Sequence, residues 1–100
     1  SKVDDLITVG DQPQALQLIS FKNLDDVRRF AKRADLPDRI YYLEDNSRGK
    51  PWFALFYGLY KDQTTASEAK TALPAELAAL RPIIRQLEAG TQLQVLDRAP

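Results

Sequence analysis

Residues 51–60 read PWFALFYGLY, and a second run rich in aromatic and aliphatic residues, RIYYLE, precedes them at residues 39–44. Aromatic and branched side chains of this kind favour β-strands. The segment between the two runs, residues 45–49 (DNSRG), is rich in turn-forming residues. The pattern predicts a β-hairpin, with the turn at residues 45–49 or slightly longer.

A strand and a helix are predicted ahead of this hairpin. Residues 14–21 (QALQLISF) alternate between apolar and polar side chains, with Gln17 facing away from its two leucine neighbours, as in a half-buried strand. Asn23 is a good helix N-cap residue, and the apolar residues that follow it recur at helical spacing. We therefore expect a helix over residues 24–34.

Two more helices and a strand are predicted after the hairpin. Thr65 and Glu68 have the spacing of a capping box, which predicts the start of a helix over residues 65–73. A proline suits the first turn of a helix, so a short helix is expected over residues 74–80. Residues 83–87 (IIRQL) then resume the pattern of a strand.

These segments follow the order β-α-β-β-α-β, which predicts an α+β fold of the split-βαβ (ferredoxin/RNP-like) type. Its sheet is expected to have four antiparallel strands, with the helices on one face and the other face exposed. Two terminal segments stay undecided. Residues 91–95 alternate and are compatible with an added edge strand, and residues 3–10 with either a short helix or an extended segment.

Composition excludes most catalytic chemistry. The 100 residues include 14 basic and 14 acidic side chains, a net charge of zero, and neither Cys nor His. Thiol nucleophiles, imidazole bases, Ser-His triads and the usual zinc ligands are therefore missing, and we expect no enzyme activity, no metal and no cofactor. Without a positive field, nucleic acid is not an expected partner.

Two further patterns carry little functional weight. Residues 48–56 (RGKPWFALF) share a basic start, a glycine and alternating aromatics with RNA-binding strands, but Pro51 is misplaced and the first strand lacks a partner aromatic. Adjacent acidic residues such as Asp25 and Asp26 diverge on a helix and do not converge on a scissile bond. We interpret these acids as solvated helix starts and turns.

The predicted third strand has two faces of different character. If Phe53, Leu55 and Tyr57 pack against the helices, then Trp52 and Phe56 lie on the open face beside Gln17. Exposed aromatic residues edged by amides are unusual on a monomer and indicate a binding surface. The alternative is that Trp52 caps the hairpin and Phe56 lies under the C-terminal tail. For the neighbouring Tyr41 and Tyr42, alternation leaves open which ring points inward.

Three stretches together resemble the SPOR domain family. They are residues 15–20 (ALQLIS), residues 48–60 (RGKPWFALFYGLY) and residues 67–77 (SEAKTALPAEL). The resemblance runs in order from about Ala15 to Leu87. It implies a non-catalytic peptidoglycan-binding module that recognises septal glycan strands stripped of their peptides, tethered in the periplasm behind a membrane span in the inner membrane.

The resemblance also suggests a glycan site. Gln17 and Ser20 match the polar first-strand positions of the family's site, and Trp52 matches its third-strand aromatic. We add Phe56, which alternation places on the open face, and Arg85, one of few cations expected near it. The SPOR sequences that this chain resembles have a second Trp just before the last strand, where this chain has Pro82-Ile83.

The resemblance implies a division of the chain into three parts. We expect an N-terminal extension over residues 1–14, a SPOR-like peptidoglycan-binding domain over 15–88 and a C-terminal tail over 89–100. Glycan strands are the expected partner, and the module would target its parent protein to the division site. The alternative is a protein–protein interaction module that uses the open sheet face to bind divisome proteins.

Overall fold

The computed structural model describes residues 5–33 and 39–96, without the side chain of Arg33. In chain order the elements are β1 (Asp5–Thr8), β2 (Gln14–Phe21), α1 (Leu24–Arg33), β3 (Ile40–Asp45), β4 (Trp52–Tyr60), α2 (Gln63–Thr71), α3 (Ala75–Ala78), β5 (Ile83–Gln86) and β6 (Gln92–Val95). The predicted elements are all present, and both undecided segments contain a strand. The predicted helix end at Ala34 lies outside the described residues.

The sheet has six strands in the order β1-β6-β3-β4-β2-β5, and every adjacent pair is antiparallel. The inner order β3-β4-β2-β5 is that of the predicted split-βαβ fold, but the prediction of a four-stranded sheet is wrong. β6 pairs with the outer edge of β3, and β1 pairs with β6. β6 satisfies backbone groups that β3 would otherwise expose, and β1 does the same for β6. The division at residues 15 and 88 stays a prediction about the family domain.

One apolar cluster lies between the sheet and the helices, and we call it the helix-side cluster. Val27 and Ala31 of α1 and Leu77 of α3 pack there against alternate residues of the central strands. Its buried members are Leu16, Leu18, Val27, Ala31, Ile40, Tyr42, Phe53, Leu55, Tyr57, Leu77 and Leu96. The predicted inward set of β4, Phe53, Leu55 and Tyr57, is therefore confirmed, and Tyr42 points to the same side.

A second apolar cluster lies on the other side of the sheet, and we call it the far-side cluster. Its buried members are Val9, Ala15, Tyr41, Phe56, Leu87 and Leu93. Phe56 has no exposed surface, so its prediction as an exposed stacking residue is wrong, and the alternative, burial under the C-terminal segment, is confirmed by its packing with Leu93. The loops that contribute Val9 and Leu87 are tied together by backbone bonds, among them Leu87 N to Pro13 O (2.9 Å) and Gly90 N to Val9 O (2.8 Å). These loops, with β6, close over the part of the face where Phe56 lies.

A bulge in β4 depends on Gly58. Leu16 pairs with Tyr57 and Gln14 with Tyr60, so three steps along β4 oppose two along β2. Gly58 adopts a φ of 70° there, and a Cβ atom at this position would overlap the ring of Tyr60. Only glycine takes up this conformation without strain.

Replacing Gly58 with alanine should therefore destabilise the fold by about 1–3 kcal/mol, from left-handed backbone strain and displacement of the tyrosine ring. Urea denaturation measures this effect. Gly10→Ala is the matched control, because no atom lies within 4 Å of its Cβ position and its φ is not positive. Equal denaturation midpoints for the two variants would contradict the assignment of the bulge to Gly58.

The N-cap of α2 differs from the prediction. Asp62, and not Thr65, is the cap residue, and its Oδ1 accepts hydrogen bonds from Thr65 N and from Thr65 Oγ1, each at 2.7 Å. The predicted capping box of Thr65 and Glu68 is therefore wrong, since the helix begins two residues earlier at Gln63. These two bonds, from the backbone first, hold the pKa of Asp62 below its ordinary value of 3.8.

A lowered folded-state pKa means that the Asp62 carboxylate stabilises the fold above the unfolded-state pKa. This contribution is lost as the pH falls through the folded-state value, below about pH 4. We expect the melting temperature of the Asp62→Asn variant, whose neutral amide still caps the helix, to fall less steeply there than that of the wild type. If the melting temperatures of the two proteins fell in parallel as the pH is lowered, this role of Asp62 would be refuted, because the two proteins share all other carboxylates.

Candidate functional site

A group of side chains on the sheet side opposite the helices lies outside the far-side cluster and retains exposed surface. They are Gln17, Ser20, Trp52, Ile83 and Arg85, and we call this group the candidate face. Cross-strand partners point to the same side of a sheet, and the register supports the grouping. Gln17 lies between the buried Phe56 on β4 and Ile83 on β5.

A second bulge brings Gln17 and Ser20 to the same side. Residues three apart on a regular strand point to opposite faces. Here Gln17 pairs with Phe56 and Ser20 with Ala54, so three steps on β2 oppose two steps on β4. The extra residue in β2 turns the exposed Ser20 hydroxyl to the side of the Gln17 amide.

Trp52 lies at the hairpin end of the candidate face. Its side chain is half-buried, and the guanidinium carbon of Arg48 lies 5.4 Å from the centre of the indole ring. This is a cation–π contact from the hairpin loop. The sequence left open whether Trp52 lies on the open face or caps the hairpin. In the structure its side chain points to the predicted face, and Arg48 of the hairpin loop lies over its ring.

Asp45, the cross-strand partner of Trp52, fixes the start of this loop. Its Oδ1 accepts a hydrogen bond from Ser47 N at 2.9 Å. The bonds from Ser47, backbone first, lower the pKa of Asp45, and the positive charges of Arg48 and Arg85 lower it further. These interactions favour the anionic form of Asp45 at the hairpin end of the face.

Arg85 is joined to Gln17 across the strand pair. Its Nη1 donates a hydrogen bond to Gln17 Oε1 at 3.2 Å. The bond matches the register, because Arg85 pairs with Ala15 and Ile83 with Gln17, which places both β5 side chains on the candidate face. The bond holds the exposed guanidinium against the amide.

Ile83 was not among the predicted site residues. Its side chain is 59% exposed, one of two large apolar side chains so exposed in the described part of the chain. The sequence contained a signal for this position, because Pro82-Ile83 stands where the resembled pattern has a second tryptophan. An exposed aliphatic side chain therefore stands where that pattern has an aromatic one.

Four predicted residues, Gln17, Ser20, Trp52 and Arg85, thus share one surface, and Phe56 is buried beside it within the far-side cluster. Within residues 5–33 and 39–96, no group of three acidic side chains is arranged to hold a metal ion. The surface offers an indole, an aliphatic side chain, an amide, a hydroxyl and a guanidinium. Such a set suits binding through ring stacking and hydrogen bonds.

The profile of the SPOR domain matches residues 12–86. The chain belongs to the SPOR family. The match takes in β2 to β5 and all three helices, and thus every residue of the candidate face. The family resemblance noted from the sequence is therefore confirmed.

This SPOR domain is similar to the cell division protein DamX of Serratia marcescens. The two are 34% identical over 70 residues, which is 70% of this chain and 32% of the relative. The chain thus spans about a third of the relative's length. Among the described helices of this SPOR domain, none has the length and apolar character that a membrane crossing requires.

Proposed function

We propose that this SPOR domain is a non-catalytic peptidoglycan-binding module. It recognises septal glycan strands stripped of their peptides and thereby targets its parent protein to the bacterial division site. The observation that supports this most directly is the gathering of Trp52, Ile83, Gln17 and Ser20 on one exposed sheet surface. Arg85 is the cation of the same proposed site.

The chemistry of this surface suits a sugar polymer. Sugar rings have apolar faces and a rim of hydroxyl and acetamido groups. The Trp52 indole and the Ile83 side chain offer apolar contact area, and the Gln17 amide and Ser20 hydroxyl offer both hydrogen-bond donors and acceptors. A strand without peptide side chains has an unobstructed flank with which to lie on the sheet.

The proposal includes the cellular location of the parent protein. The similarity to a cell division protein supports a role at the septum. In this proposal the domain lies in the periplasm and its parent protein is anchored in the inner membrane. The alternative partner is a divisome protein bound through the same face.

Co-sedimentation with purified sacculi tests the proposal. We expect the domain to sediment with amidase-treated sacculi and to remain largely in the supernatant with intact ones. Circular dichroism on the same samples shows that the protein is folded. Recovery of folded protein in the supernatant with both preparations would refute glycan binding and leave the divisome alternative.

Salt dependence separates a glycan from a nucleic acid. A protein that neutralises six or more phosphates loses about a thousandfold or more in affinity between 50 and 200 mM salt. The candidate face contains one cation, Arg85, with Arg48 at its border, so glycan affinity should fall by less than about tenfold over this range. Tight oligonucleotide binding with the steep dependence, lost in Trp52→Ala, would overturn the proposal.

Ile83→Trp should strengthen glycan binding several-fold. The position is exposed and on the candidate face, so a larger side chain can extend over solvent without entering a core. The added indole would give a sugar ring a second stacking surface. Leu6→Trp, at an exposed position of β1 that is 53% accessible, is the control and should leave affinity unchanged. Equal affinity for Ile83→Trp and wild type would place Ile83 outside the site.

A further inference from the structure

Arg85 has an unused capacity to bind an anion. Its guanidinium is exposed, and one of its nitrogens donates to Gln17 Oε1 at 3.2 Å. Within the described residues it makes no other hydrogen bond and no salt bridge. A guanidinium has five N–H groups in a planar fork that matches the two oxygens of a carboxylate. Most of the Arg85 fork therefore remains available to a ligand.

Arg48, the other cation near Trp52, is differently placed. It lies over the indole ring and contributes more than Arg85 to lowering the pKa of Asp45. Its charge is therefore partly engaged by the ring and by the carboxylate. Arg85 lies on the edge strand β5, and its guanidinium is held beside the neutral amide of Gln17, the cross-strand partner of Ile83.

The ligand of the proposed function changes its charge when it is stripped of peptides. An amidase hydrolyses the amide bond between the lactyl group of the sugar and the first amino acid of the peptide. The amine leaves with the peptide, and the lactyl group keeps a carboxylate. Stripped strands therefore present one anionic group per disaccharide at the position where intact strands have an uncharged amide.

We infer that Arg85, oriented by Gln17, binds the lactyl carboxylate of the stripped strand. The domain would thus recognise the negative charge that amidase cleavage creates. This inference rests on the proposed function. It makes charge recognition, and not only the removal of steric bulk, the source of the preference for stripped glycan. The Gln17 amide nitrogen remains a donor beside the guanidinium, because its carbonyl oxygen accepts from Arg85.

The decisive ligand is a stripped glycan strand whose carboxylates have been converted to methylamides. This conversion removes the charge and adds only a small group, so bulk stays close to that of the free acid. Binding is followed through the fluorescence of Trp52, the single tryptophan of the chain. Wild type should bind the free acid about tenfold more tightly than the methylamide, the effect expected for a hydrogen bond to a charged group.

Three variants complete the experiment. Arg85→Gln should bind the acid and the methylamide equally, near the wild-type affinity for the methylamide. Arg85→Lys should discriminate less than wild type, because it keeps the charge without the fork. Lys32→Gln removes an exposed cation from α1, on the other side of the sheet, and should behave as wild type.

The outcomes separate this inference from the proposed function. Equal wild-type affinity for the acid and the methylamide would overturn the inference and leave peptidoglycan binding intact. Full discrimination in a folded Arg85→Gln variant would overturn the role of Arg85. Absence of binding to either ligand would overturn the proposed function and the inference with it.

Discussion

Phe56→Ala should lower the free energy of unfolding by about 3–5 kcal/mol, the usual cost of truncating a fully buried aromatic residue. Phe56 is the largest side chain in the structure that is fully buried, and it lies within the far-side cluster. Its removal would leave a cavity between β4 and the loops that contribute Val9 and Leu87. Urea denaturation followed by circular dichroism measures the loss.

Phe56→Leu is the control, because it keeps most of the apolar volume and should cost much less. An effect of Phe56→Ala below about 1 kcal/mol would mean that the far-side cluster is not packed as described. The phenylalanine would then be accessible on the sheet surface, as alternation alone predicted.

The inner part of the fold could be predicted because its central strands, β2 and β4, are long and their patterns differ from those of the helices. β4 has nine residues, enough for alternation to separate its two faces, and the structure confirms which one packs against the helices. β1 and β6 have four residues each, too few for alternation to distinguish a strand from another conformation. β5 is equally short, but Pro82 marks its start in the sequence. The placement of β1 and β6 depends on the open edge of β3, which the local sequence does not describe.

The candidate site was predictable only in part. The resemblance supplied both Gln17 and Ser20, although regular alternation would place them on opposite faces. The bulge in β2 resolves this conflict, and it has no glycine or proline to mark it in the sequence. For Phe56, alternation predicted the correct side of the sheet. It could not predict that the terminal segments pack over this side chain and bury it.

Trp52→Ala should weaken glycan binding by about tenfold or more and leave the fold largely intact. A half-buried aromatic residue on a binding surface is a typical hot spot, and loss of such a residue costs about 2 kcal/mol of binding free energy. Co-sedimentation with amidase-treated sacculi measures the affinity. Leu6→Ala, which removes an exposed apolar side chain from β1, is the matched control and should bind as wild type.

The position of the indole can be checked before any ligand is added. Acrylamide should quench the fluorescence of wild-type Trp52 in part, because the ring is half-buried with Arg48 over it. Arg48→Ala should increase this quenching by uncovering the ring. If Trp52→Ala instead lowers the melting temperature as much as Phe56→Ala does, the indole is a core residue, and stacking of a sugar ring on Trp52 is excluded.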